Sequence, residues 1–101
     1  MEIEQLMDRL TREYGYTARG AEIVVAQLQR LDPQLATEFE KWWGDGDTPE
    51  IEIEQYTFER LQREQDMNPI AAFLTLDWLL REPKKAKKTL TKGHDKIGGV
   101  H

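Results

Sequence analysis

The chain contains no cysteine, which excludes disulfides, thiolate nucleophiles and Cys-ligated zinc or iron–sulfur centres. Serine is missing as well, so every scheme built on a Ser nucleophile is excluded with it. Histidine occurs only at His94 and His101, and Asn68 is the single asparagine. Asp, Glu, Lys, Arg, Tyr and Thr are left for chemistry, and Thr11, Thr17, Thr57 and the tyrosines have no neighbouring base that would activate them. The residues therefore predict no enzyme, no catalytic residue and no cofactor. Long hydrophobic runs are also lacking. The longest, Ile70 to Leu80, contains Asp77 and falls well short of the ~20 residues a membrane-spanning helix needs. Met1-Glu2-Ile3-Glu4 is the opposite of a basic signal-peptide start, so the expectation is a cytoplasmic chain with no membrane partner.

What is present is a polar chain of 101 residues, 39% hydrophobic and 33% charged, with a net charge of -5. That length and composition fit one domain with a modest core. The net charge conceals a division. Residues 1–80 hold 17 acidic and 7 basic side chains, whereas residues 81–101 hold 2 and 7, so -5 separates into -10 and +5. An acidic body followed by a basic end is one pattern of nucleic-acid-binding proteins; the simpler reading is a tail that folds back on its own acidic body or a solvated end.

Helical periodicity is plain in the first half. Ile3, Leu6, Met7, Leu10 and Tyr14 form one apolar stripe, ended by Gly15. Thr17 then caps a helix running to Leu31, with Ala21, Val24, Val25 and Leu28 inward. Asp32-Pro33 opens a third helix whose stripe is Leu35, Ala36, Phe39, Trp42 and Trp43, closed at Gly44. The loop Gly44-Asp45-Gly46-Asp47 follows. Glu50-Ile51-Glu52-Ile53-Glu54 alternates with period two and predicts a short strand over 50–54; without it, a single helix would run from Pro49 to about Gln65. Thr57 caps a helix burying Phe58 and Leu61, and Asn68-Pro69 starts an apolar helix through Leu80 that Pro83 ends or kinks. Lys84 to Lys92 has the spacing of a short basic helix with Ala86 and Leu90 inward. The expected fold is mainly α, a compact single domain of five to six helices over residues 1–92, with a flexible basic tail at 93–101.

Within the second half, Tyr56-Thr57, Leu61, Met67-Asn68-Pro69, Ala72, Leu76 and Trp78-Leu79-Leu80-Arg81-Glu82 follow the Ile51/Ile53 segment. On these residues the stretch 50–92 resembles the winged helix-turn-helix family. The resemblance implies a third helix that reads bases and a β-hairpin wing after it. The third helix here begins Pro69, Ile70, Ala71, Phe73 and Leu74 and carries Asp77, with few groups suited to bases or phosphates. Lys84-Lys85-Ala86-Lys87-Lys88 has poor strand propensity for a wing. Winged helices also serve as protein-docking modules, which an apolar, acidic surface suits better.

Three sets of residues invite a functional reading. Phe73, Leu74 and Trp78, with Trp42 and Trp43, are the candidate partner-binding residues, because a helix apolar on almost every side must bury its outer face against something. Adjacent Trp42 and Trp43 point about 100° apart, so at least one lies near the surface; at i, i+3, i+4 spacing from Phe39 they serve the core or a subunit contact, with a stacking platform as the alternative. Arg81, Lys84, Lys85, Lys87, Lys88 and Lys92 are the alternative, a nucleic-acid-binding arm, with Lys96 beyond them. The acids Asp45, Asp47, Glu50, Glu52 and Glu54 do not form a calcium loop: counting from Asp45, Glu50 and Tyr56 occupy the sixth and twelfth positions, where Gly and Glu are needed. No metal site is predicted. The sequence thus points first to a non-enzymatic protein-interaction or regulatory module, with a protein partner or a second copy, and next to a winged-helix-like nucleic-acid binder.

Overall fold

The computed structural model describes residues 2–99, with side chains described as far as Thr91. Six helices and one small hairpin make up the described chain, in keeping with the mainly helical expectation. It divides into two units at Gly46–Asp47, inside the loop marked by its turn-forming residues.

The first unit holds α1 (Ile3–Tyr14), α2 (Ala18–Leu28) and α3 (Pro33–Asp45). Gly15 ends α1 with φ 72°, and the Tyr16 N–H donates back to the Leu10 carbonyl at 3.1 Å. Only glycine takes that backbone conformation without a Cβ penalty. Thr17 caps α2 by accepting from the Gly20 N–H, and Asp32 caps α3 by accepting from the Gln34 N–H. Helix α3 runs through Gly44, and its left-handed closing residue is Gly46, whose N–H donates to the Trp42 carbonyl. Both glycines tolerate that closure, so composition alone did not choose between them. Helix α1 packs on α2, and the buried residues include Leu6, Leu10, Val24, Val25, Leu28, Leu35 and Phe39. Ile3, the first residue of the expected stripe, is 49% exposed.

The second unit begins with strands β1 (Glu52–Ile53) and β2 (Tyr56–Thr57), paired antiparallel with Glu52 opposite Thr57 and Ile53 opposite Tyr56. The expected strand is therefore the first arm of a hairpin. Its second arm was hidden because the two-residue turn is Glu54-Gln55, both at positive φ (53° and 72°), where Asn-Gly is the usual signal. Non-glycine residues held there carry backbone strain. Replacing Gln55 by Gly is accordingly expected to stabilise the protein by about 0.5–1 kcal/mol, read from the urea midpoint at unchanged slope. A destabilised variant would show that the turn is not held in this conformation.

Thr57 then caps α4 (Phe58–Glu64) by accepting from the Arg60 N–H, as its spacing predicted. Asn68 caps α5 (Pro69–Arg81) by accepting from the Ala71 N–H at 2.8 Å. Glu82 breaks the helix, and α6 (Pro83–Gly99) starts at the proline. Helix α5 packs against α4 and α6 and touches β1. Residues 84–92, where a wing would lie, are helical, with Ala86 and Leu90 buried as expected. The tail expected at 93–101 falls on the last turns of α6 and on two residues beyond the described backbone, so its side chains lie outside the described residues.

Candidate partner-binding surface

Helix α5 presents two unequal sides. Ile70, Ala72, Phe73, Leu76 and Leu79 are buried. Phe73 is 0% exposed, with its ring 4.8 Å from that of Phe58. Its expected place on a docking surface is corrected by this packing, because its position on the helix turns it towards α4. Leu74, the next residue, faces roughly 100° away and is half-buried, as is Trp78 one turn on. Ala71, also half-buried, extends the same side. Leu80 at the helix end is 43% exposed.

Polar groups frame this side. The Trp78 Nε1–H donates to Glu82 Oε2 at 3.0 Å, so the indole's one polar atom is satisfied without leaving the surface. Arg81 Nε pairs with Asp77 Oδ2 at 2.9 Å, one turn apart on the flank of Trp78, and the Asp77 side chain is only 16% exposed.

Comparison with known protein families, curated proteins and solved structures returns no match to this chain. The residues themselves therefore carry the functional reading.

Trp42 and Trp43 lie in the first unit and Leu74 and Trp78 in the second. Both indoles of the pair are half-buried. Trp43 is engaged within its unit: the Arg9 guanidinium sits 3.7 Å from its ring centroid and Phe39 stacks beside it at 5.6 Å. Arg9 Nε also pairs with Glu13 at 2.6 Å. A base or sugar seeking a stacking platform would have to displace that guanidinium, whose hold on the ring is worth about 0.5–2 kcal/mol. Trp42 tilts against both Phe39 and Trp43.

The basic residues divide in the same way. Arg81 is paired with Asp77, and Lys87 Nζ lies 3.1 Å from Glu54 Oε1, joining α6 to the hairpin turn. Lys84, Lys85 and Lys88 are exposed with no ion pair among the described residues. The side chain of Lys92 lies outside the described residues.

Asp45, Asp47, Glu50, Glu52 and Glu54 are all exposed, and no three potential metal ligands gather among the described residues. A cavity of about 250 Å³ opens in the first unit, lined by Ile3, Leu6, Leu28, Leu31 and Phe39, with Gln29 and Glu40 among its polar lining. None of the candidate partner-binding or nucleic-acid-binding residues lines it.

Arg60 is a residue that sequence reasoning missed. It donates to the Gln55 carbonyl (2.6 Å) and to Glu64 (3.0 Å), and lies 4.8 Å from the Tyr56 ring centroid, strapping the strained turn to α4. The Arg60 hydrogen bond holds the Glu64 carboxyl below its usual range. A lowered folded-state pKa adds stability above the unfolded value, which is lost as pH falls through the folded one. At this exposed site water and salt keep the contribution small. The one legible sign was the Arg60–Glu64 spacing of four residues.

Proposed function

We propose that this chain is a non-enzymatic protein-interaction module that docks through the Leu74–Trp78 side of α5, with a second copy of the chain as the occupant. The observation that carries this reading is the placement of Leu74 and Trp78 away from the side of α5 that buries Phe73 and Leu76. Two large apolar side chains there give an anchor of the kind that dominates interface energies. Charge supports this occupant. The Asp77–Arg81 ion pair flanks Trp78, and in two antiparallel α5 helices related by a two-fold axis the pairs of the two copies would lie side by side with opposite charges adjacent. The absence of a Ser or Cys nucleophile supports binding over catalysis.

Sedimentation equilibrium tests this. Over about 5–500 µM, a weak interface is expected to raise the weight-average mass towards twice the 11.8 kDa chain mass. Trp78→Ala is expected to weaken association about tenfold or more. A strict monomer across the range, or a dimer indifferent to both Trp78→Ala and Leu74→Ala, would overturn the proposal.

A further inference from the structure

The exposed side of α6 is a second surface, independent of the α5 face in its residues and its chemistry. Ala86 and Leu90 are buried on one side of the helix. Lys84, Lys85 and Lys88 fall within an arc of roughly 100° on the other, at 3.6 residues per turn. All three are exposed and make no ion pair among the described residues. Glu54, on the hairpin turn, is already countered by Lys87 at 3.1 Å. Residues 81–101 carry a net +5 although the whole chain carries -5, so the excess of positive charge lies in this part of the sequence.

We propose that α6 binds the phosphate backbone of duplex nucleic acid without reading its sequence. Each alternative polyanion asks for something lacking from the sequence of α6 or from its described residues. Anionic membrane binding by an amphipathic helix requires a free apolar face to enter the headgroup layer, and here that face, Ala86 and Leu90, is buried. Single-stranded binding relies on aromatic side chains for base stacking, and residues 81–101 contain no Phe, Trp or Tyr. The planar, paired donors with which Arg, Asn and Gln read base edges do not occur between Pro83 and Gly99. What remains is a row of point charges. Lys84 and Lys88 are one turn apart, about 6 Å along the axis, and in sequence Lys92 and Lys96 continue the spacing of four. A duplex offers a matching linear array of phosphates, about one charge per 1.7 Å of axis.

The test is a fluorescence-anisotropy titration of the full chain into a labelled DNA duplex of about 20 base pairs, long enough for a backbone contact. At ~50 mM salt, binding is expected with Kd on the order of 10⁻⁵–10⁻⁴ M, and log K should fall against log salt with a slope of about -2.7 or steeper for three phosphates. Substituting Lys84, Lys85 and Lys88 together by Gln should weaken binding at least tenfold, while the three Arg substitutions retain it. Lys85→Gln alone should make the slope shallower by about 0.9, a readout that does not depend on the triple variant folding. The proposal is overturned by no binding at ~50 mM salt or by an unchanged affinity in a folded Gln variant. Equal or tighter binding to a single strand of the same length, or to phosphatidylserine vesicles, overturns it too.

Discussion

Phe73→Ala is expected to lower the unfolding free energy by about 3–5 kcal/mol, the range for emptying a large aromatic from a closed site. The ring is 0% exposed and lies tilted against Phe58 at 4.8 Å, so the methyl left behind cannot fill the space without moving α4. Urea denaturation followed by far-ultraviolet circular dichroism reads the loss as a shift in midpoint. Leu74→Ala is the internal comparison. Leu74 is adjacent in sequence but only half-buried, and its truncation should cost the protein roughly 1 kcal/mol. If the two variants lost equal stability, the assignment of Phe73 to the core and Leu74 to the docking side would be wrong.

The second large effect belongs to the first unit. Leu10→Ala is expected to destabilise by about 2.5–5 kcal/mol, since Leu10 is 0% exposed and removing its branch leaves a cavity. Ile3→Ala, on the same helix and in the same expected stripe, should cost less than about 1 kcal/mol because Ile3 is half-exposed. The pair separates real burial from mere periodicity. A loss at Ile3 matching that at Leu10 would place the whole stripe inside.

That contrast shows where the residues spoke clearly. Caps were legible because they are chemical: Thr17, Asp32, Thr57 and Asn68 each accept the backbone N–H that their position predicted. Helices with one apolar stripe followed, since period and burial agree along most of each stripe, Ile3 excepted. Helix α5 was harder, because a helix apolar almost all round carries no internal statement of which side faces its neighbours. Only packing told Phe73 from Leu74. The second arm of the hairpin was illegible for a different reason: tertiary contacts, among them Arg60 to the Gln55 carbonyl, hold Glu54-Gln55 in a conformation their own preferences resist. Of the candidate surfaces, the division of charge at Leu80 was visible as arithmetic. That Arg81 and Lys87 are tied to Asp77 and Glu54, leaving Lys84, Lys85 and Lys88 without an ion pair, required the fold.

Ala86 has a role that its size conceals. It is wholly buried in α6, the helix packed on α5, and a methyl is all it brings to that site. The residue thus acts as a gauge, setting how near two helix backbones approach. Any longer side chain would overpack the site at about 1–3 kcal/mol or lever α6 outward. Because Lys84, Lys85 and Lys88 ride on the same rigid helix, such a change would displace the entire positive row without altering one charge. Affinity for a polyanion would then respond to a purely steric substitution on the far side of the helix, and this small alanine would tune recognition by distance alone.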